Sequence, residues 1–180
     1  MRIKRDKVLT LIIDNQVRLL PSIFNSEQML QNTRTFLSGL NFLNIPMLIT
    51  QQYTKGLGMS EESMFLHSGV MEYMDKRTFS CWADPDIRRK IQESGCSQII
   101  LCGIETHICV LQTALDLLEA GYQVVLVEDC VSSRKSSDRE TAINRMRQDG
   151  VVITSFESLL FELMETSLCP EFKEVQNLIK

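Results

Sequence analysis

The residue of this chain best placed for covalent chemistry is Cys109. It follows the apolar run Ile99-Ile100-Leu101-Cys102 and the turn Gly103-Ile104-Glu105-Thr106, and it lies in a stretch with helical periodicity. A strand, turn and helix in that order set a cysteine one turn inside a helix, at the positive end of the dipole, where thiolate is favoured over thiol. A free thiol has a pKa of about 8.5, so little of it ionises at neutral pH unless a cation, a base or a helix end assists. The placement therefore predicts a cysteine nucleophile. Taken alone, Cys109 also reads as a small core residue, because free cysteine is among the most buried side chains.

Other chemistries find little support. The remaining cysteines, at 81, 96, 102, 130 and 169, form no Cys-x-x-Cys pair and lack the spacing of a disulfide framework. Reduced thiols in a cytoplasmic setting are the expectation. Neither His67 nor His107 has a second His or a Cys at metal-ligand spacing, so neither metal nor cofactor is expected. Asp14-Asn15-Gln16 stands where a dinucleotide-binding Gly-x-Gly-x-x-Gly would follow the first strand, and no phosphate-binding Gly-x-x-x-x-Gly-Lys motif occurs. A net charge of -4 without a basic cluster argues against nucleic acid and anionic membranes as partners, leaving a small molecule. No apolar run is long enough to span a bilayer, and Val8–Ile13, cut short by Asp14, is too brief for a signal peptide.

The elements that must position Cys109 alternate between strand and helix. Val8–Ile13 is a continuous apolar strand ending in Asp14. Residues 26–43 carry Met29, Leu30, Thr33, Phe36, Leu37, Leu40 and Leu43 at the helical period, with a cap at Asn25 or Ser26. Residues 46–50 form a second strand, and 51–73 read as a long loop or lid holding Gly56, Gly58 and Gly69. Asp84 caps a helix that starts with Pro85 and closes at Gly95. Strands follow at 98–102, 123–127 and 151–153, with helices at 107–120 and 137–148. A capping box of Thr154 and Glu157 opens a helix through Met164, and residues 170–180 form a short amphipathic helix. Such a pattern predicts one α/β domain over residues 1–180: a three-layer, doubly wound sandwich around a mainly parallel sheet. Ligands in such sheets bind outside the carboxyl ends of the strands, where Asp14 and Cys109 both fall.

Three segments together resemble the isochorismatase-like cysteine hydrolases: Leu11-Ile12-Ile13-Asp14-Asn15-Gln16, Asp75-Lys76-Arg77-Thr78-Phe79-Ser80, and Gly103-Ile104-Glu105-Thr106-His107-Ile108-Cys109. The run Gln51-Gln52-Tyr53-Thr54-Lys55-Gly56-Leu57-Gly58 is similar to that of the family's small isochorismatase-domain members. The resemblance implies a Rossmann-like fold, a triad of Asp14, Lys76 and Cys109, and a cis peptide between Ile104 and Glu105. It further implies an oxyanion hole from the backbone N–H groups of Glu105 and Cys109, and a homo-oligomer. Candidate substrate-binding residues are Gln16, Phe24, Gln52, Tyr53, Phe79 and Trp82. His107 takes a supporting role, because side chains two apart on a helix do not share a face. Nicotinamidases of the superfamily place Asp and His metal ligands where Gln52 and Thr54 stand here, which disfavours metal-dependent chemistry. The expected reaction is hydrolysis of a small non-peptide amide or related C–N bond through a Cys109 thioester. The alternatives are vinyl ether hydrolysis of the isochorismatase type and a non-catalytic oligomeric binding protein that kept the fold.

Overall fold

Every residue of strand β1 (Val8–Ile13) is buried, and its side chains divide between two cores. Val8 and Ile12 enter one of them; Leu9, Leu11 and Ile13 enter the other. That division is the period of two of an extended chain, applied to a strand covered on both sides. The computed structural model describes residues 2–180, so Met1, the first residue of the expected domain, lies outside the described residues.

Around β1 run β2 (Met47–Gln52), β3 (Tyr73–Lys76), β4 (Gln98–Ile104), β5 (Gln123–Ser132) and β6 (Val152–Thr154). Their order across the sheet is β3-β2-β1-β4-β5-β6, and every pairing is parallel. Helices α1 (Ser26–Phe42), α7 (Phe156–Met164) and α8 (Phe172–Ile179) bury Phe36, Leu37, Leu40, Leu160 and Val175 on one face. Helices α4 (Pro85–Glu93), α5 (Leu111–Glu119) and α6 (Ser136–Gln148) bury Ile87, Ile91, Ala114, Leu117 and Ile143 on the other. The three-layer α/β/α sandwich is thus the fold. Its strand order reverses between β1 and β4, and both strands point their carboxyl ends at the same edge.

Local chemistry accounts for several boundaries. Asp84 accepts hydrogen bonds from the N–H groups of Asp86 and Ile87, with Pro85 as the first residue of α4. Where the structure departs from the sequence reading, tertiary contacts decide. The stretch 51–73 is not one loop: it holds the end of β2, the short helices α2 (Thr54–Leu57) and α3 (Glu62–Ser68), and the start of β3. Helices of four and seven residues are too short to show a period, and only the last residue of β3 is buried. The cap of α7 is Ser155, which accepts from the N–H of Ser158; Thr154 belongs to β6, so the expected capping box does not form. Gly103 and Ile104 are not a turn, since β4 continues through them. The helix expected from His107 begins as a π-helical turn, Thr106–Val110, before α5. β5 also runs past Val127 to Ser132, its register with β4 jumping from Leu101–Leu126 to Gly103–Val131.

Gly103 is where β1 and β4 come closest. Its φ is +115°, and a Cβ built there would lie 2.0 Å from the carbonyl oxygen of Ile13. Only glycine fits both the backbone angle and the space. We expect Gly103→Ala to cost about 3 kcal/mol or more from the disallowed φ and the overpacking. Thermal unfolding followed by circular dichroism should then show a midpoint lowered by roughly 6 to 12 °C.

Candidate active site

The sheet edge carries an ion pair almost sealed from solvent. Asp14 follows β1 with a φ of 51°, in the left-handed region that aspartate tolerates better than most residues. This turn leaves its carboxylate beside β2, where one oxygen, Oδ1, accepts from the hydroxyl of Thr50 at 2.8 Å. The other, Oδ2, accepts from the ammonium of Lys76 at 2.7 Å. Lys76 ends β3, two strand spacings of about 4.8 Å from β1, a gap its four-carbon side chain spans. Both side chains are at most 1% exposed.

An unpaired charge at such depth costs several kcal/mol, so the ammonium needs its full set of acceptors. It has them: besides Asp14, Nζ donates to Oε1 of Gln52 at 2.7 Å and to the carbonyls of Phe79 and Thr78 at 3.1 and 3.3 Å. Burial, the largest single influence, pulls the lysine pKa down, but the charge and hydrogen bond of Asp14 together with the neighbouring Cys81 and Cys109 outweigh it, and the net shift is upward. Lys76 is a fixed cation.

Cys109 occupies the π-helical turn after β4 and is 7% exposed. Its sulfur feels both members of the ion pair. Burial and the Asp14 carboxylate push the thiol up, and Lys76 offsets only part of that. The expectation of a resting thiolate is therefore corrected, because the carboxylate acts on the sulfur more strongly than the ammonium does. A protonated sulfur beside an ionised carboxylate is a nucleophile together with the base that can deprotonate it.

The Ile104–Glu105 peptide bond is cis. Glu105 holds its carboxylate against Arg134, accepting from that residue's backbone N–H and Nε at 3.1 Å each. Beside this pair a cleft of about 320 Å³ is lined by Arg18, Leu19, Ser22, Ile23, Glu105 and Arg134.

The expected substrate-binding residues disperse. The amide of Gln16 is occupied by backbone, accepting from Gln52 N at 2.7 Å and donating to the carbonyls of Gln52 and Gly58 at 3.0 and 2.7 Å. It straps the segment after β2 onto β1 and has no donor left to offer a ligand. Gln52 serves Lys76, and Thr54 donates to Asp75 from both its backbone N–H and its hydroxyl, so the two positions that hold metal ligands in nicotinamidases here carry hydrogen bonds. Among the described residues, no group of three His, Cys, Asp or Glu side chains is arranged to hold a metal ion. Tyr53 stacks under the guanidinium of Arg77 at 3.9 Å, and Phe79 is 53% exposed. Phe24 lines a separate cleft of about 240 Å³ with Asn25, Asn32, Asp129 and Arg139. Trp82 packs edge-on against Tyr122, which precedes β5 at the opposite end of the sheet, and so turns away from Asp14. His107 pairs through Nδ1 with the hydroxyl of Ser133 at 2.9 Å. Thr50 is the participant that sequence reasoning missed; a threonine within an apolar strand carries no signal until its neighbour across the sheet is known.

Comparison with known proteins identifies the family. Residues 8–158 match the isochorismatase domain model. The chain belongs to the isochorismatase family of hydrolases. It is 41% identical to the secreted isochorismatase effector Isc1 of Phytophthora sojae over 162 residues, covering 87% of this chain and 77% of that protein. It is 38% identical to isochorismatase domain-containing protein 1 of Salmo salar over 93% of its own length but spans only 59% of that relative. Among solved structures, the MAR1 ribonuclease of Caenorhabditis elegans superposes with a TM-score of 0.92 at 35% identity, covering 99% of this chain and 92% of the other. No described helix is long and apolar enough to cross a membrane.

Two measurements probe the ion pair and the thiol. Lys76→Met leaves Asp14 buried without its partner and should destabilise by about 3 to 5 kcal/mol in urea unfolding, whereas the double variant Asp14→Asn/Lys76→Met should recover most of that loss. Because the Cys109 pKa is raised, its thiolate forms only at higher pH. Alkylation by iodoacetamide, mapped by peptide mass spectrometry, should reach half its limiting rate above the free-thiol value of about 8.5 measured for glutathione in parallel.

Proposed function

We propose that this protein is a cysteine hydrolase that cleaves a small non-peptide amide or related C–N bond through an acyl-Cys109 intermediate. The observation that carries the proposal is the convergence of a nearly buried cysteine, a buried carboxylate and its paired ammonium at one edge of the sheet. In this reading Asp14 takes the proton of Cys109 as the sulfur bonds to the carbonyl carbon. The resulting oxyanion is held by the backbone N–H groups of Glu105 and Cys109, and losing one such donor typically costs roughly 3 kcal/mol of barrier. Asp14 then passes its proton to the leaving amine as the C–N bond breaks and a thioester remains. Water, deprotonated by the same carboxylate, attacks the thioester, releases the acid and returns the proton to sulfur. Lys76 keeps Asp14 ionised between these transfers. It is an electrostatic partner rather than a proton donor, since its ammonium protons are all committed to acceptors.

Cys109 is only 7% exposed, which supports an amide of low mass over a polymer. A net charge of -4 argues against nucleic acid, so the ribonuclease name of the worm protein is not carried over. Self-association belongs to the same proposal. Val17, Tyr53, Met59 and Phe79, on the segments around the site, are 40 to 53% exposed, apolar surface of the kind a second copy covers. The free state of all six cysteines supports a reducing, cytoplasmic setting.

Incubation with pools of small primary and secondary amides, read by intact-mass spectrometry, should reveal an acyl adduct that maps to Cys109 and is absent from Cys109→Ala. Turnover of isochorismate by Cys109→Ala at the wild-type rate would overturn the thioester route in favour of ether hydrolysis by Asp14. Ligand binding unchanged in Cys109→Ala, with no turnover by either protein, would mark a binding protein instead.

A further inference from the structure

Thr50 is wholly buried in the middle of the sheet, and its hydroxyl sits between two groups that settle which way its proton points. On one side Oγ1 lies 2.8 Å from Oδ1 of Asp14. On the other, the sulfur of Cys81 lies 3.8 Å away and donates to the same oxygen. An ionised carboxylate only accepts, so the single hydroxyl proton of Thr50 is directed at Asp14, and the oxygen lone pair is left to receive the S–H of Cys81. Burial pushes the Cys81 thiol up to about 11, which keeps it a donor. Cys81 is in turn fixed by its backbone N–H, which donates to Oγ1 of Thr113 at 2.9 Å.

The chain of donation thus runs one way, from Cys81 to Thr50 to Asp14. The backbone builds it in: Thr50 is the strand partner of Ile13, and its carbonyl accepts from the N–H of Asp14 at 3.2 Å. The titratable groups facing the Asp14 carboxylate are Lys76 from β3, Cys81 from the segment before α4, and Cys109 from the π-helical turn. Lys76 binds Oδ2, so the Thr50 hydroxyl is the side-chain donor that serves Oδ1.

We infer that Thr50 is a positioning residue for the general base: its hydroxyl holds Oδ1 of Asp14 ionised and in the rotamer that reaches the Cys109 proton, with Cys81 setting the hydroxyl's direction. The inference rests on the proposed role of Asp14 as base. A base held in place takes the thiol proton more readily than one free to turn away, so removing the hydroxyl slows reactions that begin from the protonated sulfur.

The test is the rate of Cys109 alkylation by iodoacetamide, mapped by peptide mass spectrometry at neutral and at high pH, in the wild type, Thr50→Val and Thr50→Ser. Thr50→Val is nearly isosteric and should slow alkylation at neutral pH by about tenfold, the worth of a hydrogen bond to a charged group, while leaving the limiting rate at high pH unchanged, because the thiolate needs no base. Thr50→Ser, which keeps the hydroxyl, should return the neutral-pH rate to within about twofold of the wild-type value. Should Thr50→Val fail to fold, Thr50→Ala takes its place with the same expected direction. A neutral-pH rate unmoved by loss of the hydroxyl, or slowed equally by Thr50→Ser, would overturn the inference. Alkylation needs no turnover, so that failure stays distinct from the absence of an acyl adduct, which bears on the proposed reaction alone.

Discussion

A lysine ammonium and an aspartate carboxylate 2.7 Å apart, both at most 1% exposed, impose the strictest requirement on this structure. Moving each ion out of water costs several kcal/mol, and mutual attraction recovers that only when every remaining donor and acceptor is matched. The surrounding structure supplies the matches. Thr50 takes the free oxygen of Asp14; Gln52, Thr78 and Phe79 take the remaining protons of Lys76. The pieces come from β1, β2, β3 and the segment after β3, so the pair can form only when these strands stand in their observed register.

The pair also governs the sulfur. Burial and then the Asp14 carboxylate push the thiol up by more than the ammonium lowers it. In the proposed reaction that proton passes to Asp14 only as the sulfur attacks a carbonyl. The site stays nearly closed for the same reason that it is strongly coupled. Excluding water strengthens each charge, and the 7% exposure of Cys109 leaves a narrow opening to solvent.

Legibility in the sequence tracked local periodicity. The strands β1, β4 and β5 were readable from their continuous apolar runs, and the helices α1, α4 and α6 from buried residues spaced three to four apart, a repeat of its own kind in each case. β3 was not, since an edge strand with one buried residue of its four has no such repeat; the lysine ending it was found only through its motif. That Gln16, Gln52 and Trp82, expected to bind substrate, have partners within the protein was not legible for a related reason. Polar and aromatic side chains at strand ends look alike in sequence, whether they meet a ligand, a backbone carbonyl or Tyr122.

By itself, then, the amino-acid sequence determined the layered α/β architecture, the family, and which residue types sit at the carboxyl ends of the strands. Each of these follows from patterns within a few residues or from motifs in order. Only the tertiary structure decided the protonation of Cys109, the service of Gln52 and Thr50 to the ion pair, and the π-helical turn that carries the sulfur. Those depend on which charge is nearer and on what water has left behind, distances between residues as far apart in the chain as 14, 50, 76 and 109.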